Sequence, residues 1–512
     1  MIVSGIVGTA LCWLTSSPRS RWFQRLTFVA VMVTAVFPQA IVMNTRKFYS
    51  TDSAAFDQVA ARALLHGLNP YAASMNPAAR LLQIPDYFWT YTTNGGHVAQ
   101  FSYPAGSFLV DVPAMALGFH HVVVDWMDLI AWLVTTALLF VLLPTSLRWL
   151  SGLLALTPAL LGSFGSGGTD AMFVPFLVVA VWRWDRFGQG KEGGLANWVG
   201  PIALGMACAI KQTPWFCVPF LVAGVFLEAR LARRPASRPA FRYLLTVVGV
   251  FAAINLPFVV WSPAAWLHGT LIPVVGGLVA DGQGLVSLAT HGITGGVDLM
   301  MLSVAAGLAL VAVLAAFVFW YPYLKRVWLL LVPISLFFSP RSLSSYLIDL
   351  FPVAVVAALS VRGVHPGTTV LPERWRRLWF LPFVAVGLPS LGVAITAALA
   401  FTGPPLQLSV RQVGLSHGGR VVDSVTVSVH NGTDRALTPH FMVNTGDNPH
   451  GFWAPAGSNI TTVSAHGSVT VTLYSPVETT APQKGARWLV EAYTRDPTWL
   501  STSTPAVFLG RR

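Results

Sequence analysis

Charge is what this chain has least of. Asp, Glu, Lys and Arg make up 10% of its 512 residues, against about 25% in an ordinary soluble domain. Hydrophobic residues reach 54%, and the mean hydropathy is +0.62. So little charge cannot cover the surface of a string of soluble domains, and so much apolar residue excludes disorder. Cysteine is scarce as well: Cys12, Cys208 and Cys217 supply no disulfide framework. No His, Cys and Asp cluster has metal-ligand spacing, so no structural metal is expected. Internal repeats are absent too. The formal net charge of +12 falls in short clusters between apolar runs, the pattern of membrane loops, and is therefore read as topology and not as nucleic-acid binding.

What is present is a series of apolar runs. Residues 1–16 are apolar but lack a basic flank and a small-residue cleavage site, so they are not read as a signal peptide. After Arg19, Arg21 and Arg25 a run extends to about Met43, and others lie at about 125–143, 149–163, 171–184, 196–210, 214–229, 243–261, 299–320, 327–338, 345–361 and 378–401. With a hydrocarbon core of about 30 Å, these predict a polytopic α-helical membrane protein of about eleven spans. Basic clusters at Arg183, Arg186 and Lys191, at Arg230 to Arg242, at Lys325 and Arg326, and at Arg374 to Arg377 mark the cytoplasmic side. The loop 44–104, the turns near Asp170, Lys211 and Arg341, and the segment 262–297 then face outward. Parity leaves residues 104–119, with Asp111 and Pro113, as a re-entrant or interfacial segment. Within the outer loop, helical spacing predicts an amphipathic surface helix over 53–66.

Beyond about residue 405 the pattern changes. Val421, Asp423, Val425, Val427 and Val429 alternate with polar neighbours, and turn signals such as Asn431-Gly432 and His466-Gly467 follow. The reading is two domains, 1–405 in the membrane and 406–512 as an extracytoplasmic β-sandwich. Phe452, Trp453, Trp488 and Tyr493 are sugar-stacking candidates there, with core packing as the default for aromatic residues in strands.

A charged group in a membrane protein that is not a cytoplasmic flank is costly to keep and marks function. By that criterion Asp52, Asp57, Asp170, Lys211, His268, His291 and Arg341 gather on the outer face. Asp52 opens the 53–66 helix, where it is either a functional charge or an N-cap; Thr51 or Ser53 could cap in its place. Asp57 lies about 140° further round the helix and is read as solvated. Gly165 to Asp170 lacks the Lys-Ser/Thr of a phosphate loop and reads as a turn that puts Asp170 on the outer face. Lys211 and Arg341 lie at outer span ends, where charge economy marks them. The alternatives are a snorkelling lysine and an interfacial anchor.

Thr51-Asp52-Ser53, the helix after it, and Gly67-Leu68-Asn69-Pro70-Tyr71 resemble the GT-C superfamily of membrane glycosyltransferases, and above all the actinobacterial polyprenol-phosphate-mannose-dependent mannosyltransferases. Tyr103-Pro104, Lys211-Gln212-Thr213-Pro214 and Ser339-Pro340-Arg341-Ser342 with Tyr346 extend the resemblance. It implies a GT-C-like fold in the plasma membrane that moves a sugar, mannose or arabinose, from a polyprenyl phosphate donor to an envelope glycolipid or polysaccharide acceptor. The donor is a substrate, so no cofactor is implied. Asp52 takes the position of the family's general base, Lys211 and Arg341 would stabilise the departing donor phosphate, and Phe56 stands where some relatives carry Tyr. Tyr71, Tyr103, Asp170, His268, His291 and Tyr346 complete the set of substrate-contact candidates. A transporter or flippase of lipid-linked sugars is the alternative reading, disfavoured by the lack of repeats. A non-catalytic envelope scaffold is the third.

Overall fold

The computed structural model describes residues 21–85, 88–157, 171–189, 195–275, 277–363, 380–416, 420–445, 451–455, 462–476, 481–483 and 485–507. Asp170, Lys191, the turn 165–170 and the arginines 374–377 lie outside them. The main helices among the described residues of the N-terminal region are α1 (Arg21–Thr45), α2 (Asp52–Leu65), α3 (Val123–Leu142), α4 (Val199–Ile210), α5 (Cys217–Leu231), α6 (Ser237–Trp261), α7 (Leu299–Phe319), α8 (Ser344–Ser360) and α9 (Leu381–Leu399).

Six stretches among the described residues are long and apolar enough to cross a membrane: Gln24–Thr45, Val123–Leu142, Thr213–Leu231, Ser237–Trp261, Leu299–Phe319 and Leu381–Leu399. The described residues thus hold six helical stretches of span length, which suggests a multi-pass membrane protein, where the apolar runs of the whole sequence predict about eleven. The remaining runs are helical but short. α4, α8 and Trp328–Phe337 fall below span length, and Trp149–Ala155 and Val174–Val181 are shorter still. Eight residues rise only about 12 Å. Proline sets some of these limits, with Pro175 and Pro333 in the first turns of their helices, where its missing N–H costs nothing. Residues 104–119 form two helices of four and five residues, Gly106–Leu109 and Val112–Ala116, neither able to cross.

α2 is not the surface helix its spacing predicts. Asp52, Ala54, Ala55, Phe56, Asp57, Gln58, Ala60 and Ala61 are all buried, because α2 packs against both short helices of 104–119 and against α3. Four alanines let those neighbours approach closely from more than one side. Asp57, expected to be solvated, is 0% exposed.

The C-terminal region also differs from the expected two-layer sandwich. Strands β4 (Leu406–Ser416), β5 (Val421–Asn431), β6 (His440–Asn444), β7 (Phe452–Pro455), β8 (Ser468–Tyr474), β9 (Arg487–Thr494), β10 (Trp499–Thr502) and β11 (Ala506–Val507) form one curled antiparallel sheet. β7 pairs with β6 on one side and β8 on the other, joining what would have been separate layers. The curl encloses Val422, Val425, Val427, Val429, Trp453 and Trp488, so the two tryptophans are core. An edge strand comes from the helical region. Of three short strands there, β1 (Asp281–Gly282), β2 (Gly296–Asp298) and β3 (Arg341–Ser342), β2 pairs antiparallel with β10. A second apolar cluster then joins Val279, Val286, Val297 and Leu299 to Met442, Tyr493 and Leu500.

Behind this cluster Glu491 is fully buried. Asn444 Nδ2 donates to its Oε1 at 2.7 Å and Tyr493 OH to its Oε2 at 2.9 Å. Burial nevertheless raises the carboxyl from 4.5 to about 7, against the two hydrogen bonds that favour the anion. The folded state therefore prefers the protonated form. Its contribution is complete below pH 4.5 and is lost as pH rises through about 7, a difference of about 3 kcal/mol. Glu491→Gln should flatten the fall in thermal unfolding midpoint between pH 4.5 and pH 8 in detergent micelles. A Gln variant with the same pH dependence as the parent would assign that fall to another group.

Candidate functional site

Thr51 caps α2: its side chain accepts from the Ala54 N–H at 3.4 Å and from Ser53 Oγ at 3.1 Å. Asp52 is thereby released from capping and sits in the first turn, where the helix dipole favours a negative charge. The Thr90 N–H donates to Asp52 Oδ2 at 2.6 Å. Burial raises this carboxyl above its ordinary value, while the Thr90 hydrogen bonds and the Arg341 charge pull the other way.

Lys211 ends α4, its backbone turning extended at φ −144°, ψ 158°. It is 5% exposed. Its Nζ lies 4.9 Å from the ring centre of Tyr103 and 5.8 Å from that of Tyr346, faces that attract a cation. Burial lowers the ammonium to about 8, and Asp349, Asp57 and Asp128 hold it from falling further. The next residue locks the position. Gln212 Nε2 donates to the carbonyls of Ser102 and Thr270, each at 3.0 Å, tying the segment before Tyr103 to the helix Pro263–Val275.

Arg341 is placed by a two-residue parallel ladder in which β1 pairs with β3. Its Nη1 donates to Val279 O at 3.2 Å and its Nη2 lies 3.5 Å from Asp281 Oδ2. Two glycines permit the approach. A Cβ at Gly282, whose φ is +122°, would stand 2.5 Å from the Ser342 backbone, and one at Gly284 would stand 2.3 Å from Phe337 O. Beside Arg341 opens a cavity of about 220 Å³ lined by Phe216, Leu299, Met300, Ser303, Leu336 and Thr498 among others. Thr498 belongs to the turn between β9 and β10, so the sheet reaches the cavity wall.

Of the residues expected at the site, Asp52, Tyr103, Lys211, Arg341 and Tyr346 come together. Tyr71 does not face the cavity. It is buried among Phe101, Phe108 and Phe258, and its OH donates to the Tyr103 carbonyl at 2.8 Å. The Gly-x-Asn-Pro-Tyr stretch is thus a positioning device: Gly67 turns the chain at φ +73°, and Asn69 Oδ1 accepts from the Tyr71 N–H at 3.0 Å. His268 is exposed on Pro263–Val275. His291 is exposed beside the sheet, where its carbonyl accepts from Arg487 Nη2 at 3.3 Å. Neither histidine is joined by a contact to the Asp52 group.

Asp128 and Asp349 went unrecognised in the sequence, and Asp57 was read as solvated. Asp57 accepts from Ser107 Oγ, and Asp57, Asp111, Asp128 and Asp349 are each 0% exposed. Burial raises the Asp57 and Asp111 carboxyls. Asp281, partner of Arg341, was missed as well. Asp128 and Asp349 interrupt apolar runs, which was the available signal. Among the described residues no three His, Cys, Asp or Glu side chains group to hold a metal ion. Comparison with protein-family models, curated proteins and solved structures gives no match.

The Gln212 bridge gives a direct test of how the site is held. Replacing it with Leu strands two buried carbonyls, each costing about 1–3 kcal/mol. The variant should unfold at lower temperature and let a thiol-reactive probe reach a cysteine placed at Ser102, which the parent protects. Unchanged protection would mean that the loop is held elsewhere.

Proposed function

We propose that the chain is a membrane glycosyltransferase of the GT-C type, transferring a sugar from a polyprenyl phosphate donor to an envelope glycolipid or polysaccharide on the outer side of the plasma membrane. The observation that carries the reading is a group in which Asp52, freed from capping, feels the charge of Arg341, while Lys211 lies over the rings of Tyr103 and Tyr346, with Arg341 lining a cavity walled by α7 and Val332–Phe337. In this reading the donor phosphate lies against Arg341 and Lys211, and its isoprenoid chain follows the cavity. The acceptor hydroxyl oxygen attacks C1 of the sugar, its proton passes to Asp52, and the C1–O bond to phosphate breaks with both electrons leaving on the phosphate. A single displacement inverts C1. The cations stabilise charge that grows on the leaving group in a site largely shut from water. Mannose or arabinose is the sugar favoured by the motif resemblance.

A second reading, a transporter of lipid-linked sugars, draws support from Asp111 and Asp128, whose carboxyl oxygens make no hydrogen bond among the described residues. Intramembrane carboxylates of that kind serve proton-coupled transport. The two readings part on chemistry. Asp52→Asn should lower sugar transfer from radiolabelled polyprenyl phosphate sugars by about 10² or more, the scale of a general base. Movement of labelled donor across a vesicle bilayer without transfer in the parent protein would favour transport.

The pH profile supplies another test. Transfer needs Asp52 ionised and Lys211 charged, so the rate should fall as pH drops toward the raised Asp52 value and fall again as pH rises through about 8. Lys211→Arg keeps its charge at all accessible pH. It should move the alkaline limb upward even where the maximal rate suffers; a limb that stays put would assign it to another group.

A further inference from the structure

The stretch Thr213–Leu231 rises about 28 Å at 1.5 Å per residue, which sets its Arg230 end across the hydrocarbon core from Lys211. At that far end α5 closes tightly. The Arg234 N–H reaches back to Ala229 O at 2.8 Å and the Arg233 N–H to Arg230 O at 2.9 Å, with Arg233 in the left-handed region at φ +54°. Glycine normally fills that position, so an arginine is held there against a cost in strain of about 1–3 kcal/mol. α6 then begins at Ser237 with no side-chain cap on Ala236 and no acidic residue in its first turn. Between the two helix ends lies a recess of about 380 Å³ lined by Phe226, Arg230, Arg234, Ala236 and Ser237.

Charge in this corner is unbalanced. Arg230, Arg233, Arg234, Arg238 and Arg242 stand within thirteen residues that include no acid, and none makes an ion pair among the described residues. The nearest acid in sequence, Glu228, is already engaged by Lys325 Nζ at 2.7 Å and Tyr321 OH at 2.5 Å. Two arginines beside the uncapped start of a 25-residue helix therefore point to a phosphate. The next turns of α6 point to what carries it. Phe241, Leu244, Leu245 and Val248 are exposed at helical spacing directly below the recess.

We propose that this recess binds the phosphate headgroup of an anionic glycerophospholipid in the leaflet opposite Asp52, with its acyl chains along Phe241, Leu245 and Val248. The site is separate from the reaction site and goes beyond the proposed activity. Basic recesses between membrane helices suit such headgroups, and the apolar stripe adds an affinity that a free phosphate ion cannot use.

The experiment is native mass spectrometry of the full-length protein in detergent micelles, titrated with phosphatidylglycerol, with phosphatidylcholine of the same chains, and with inorganic phosphate. Phosphatidylglycerol should bind at least tenfold more tightly than phosphatidylcholine, and millimolar inorganic phosphate should not displace it. Arg230→Ala combined with Arg234→Ala should weaken that binding at least tenfold. Should this variant fail to fold, Ala236→Asp decides, because Asp at an N-cap favours the helix while repelling phosphate. It should keep or raise the unfolding temperature and lose the lipid. Equal binding of the two lipids, or parent-like binding by Ala236→Asp, would overturn the proposal. Displacement of phosphatidylglycerol by inorganic phosphate would overturn the lipid as occupant and leave a simple anion site.

Discussion

The site depends on the cost of removing the Lys211 ammonium from water. An unpaired charge cannot be buried in a helix bundle without several kcal/mol of penalty, and it persists only where opposite charges and polarisable faces surround it. Here those are the rings of Tyr103 and Tyr346 and the carboxylates of Asp57, Asp128 and Asp349. The dependence is mutual. Buried acids in a chain this poor in charge would repel one another without a cation among them. The packing of α2, α3, α4 and α8 follows from this shared need as much as from their apolar faces, since each brings a member of the group.

Rigidity around the cation comes from groups outside the charged cluster. Gln212 joins two carbonyls from distant segments. Tyr71, lodged among phenylalanines, fixes the Tyr103 backbone. Thr51 relieves Asp52 of the helix end. At each point the local sequence supplies a second residue to do the holding. The motif residues around Asp52, Lys211 and Arg341 are thus in large part scaffolding for three side chains.

How much of this could be read from sequence follows from where the signals lie. Asp52, Lys211 and Arg341 were legible because a charge outside a basic flank is conspicuous in a chain with so few. The capping alternative at Asp52 was settled by Thr51, one residue earlier. Asp57 was misread because an angular argument assumes a helix with one wet face, whereas α2 is enclosed on several sides. Asp128 and Asp349 lay inside runs read only for their hydropathy. The helical regions were visible in that hydropathy, but hydropathy does not report where prolines and extended residues cut a run short of span length. The curled sheet was hidden for another reason. Alternation marks strands well, but the pairing of β7 with two neighbours and the recruitment of Gly296–Asp298 are long-range choices that local patterning does not encode.

The recruited strand changes what the C-terminal sheet means for the site. Asp281 and Arg341 are paired on β1 and β3, and the segment leaving β1 runs through the cluster of Val286 and Val297 into β2, where the sheet takes hold of it. Leu299, at the start of α7, is hydrogen-bonded to the Thr498 carbonyl at 3.1 Å, and both residues line the cavity beside Arg341. One of the two cations is therefore suspended from the sheet, whereas the other is fixed within the helices by α4 and Gln212. A glycan-capturing module of the kind read from residues 406–512 would hang from a linker and leave the site intact when removed. This sheet instead forms part of the frame that sets the distance between Arg341 and Lys211, and any capture of glycan by its outer face would take place on a surface mechanically continuous with that pair.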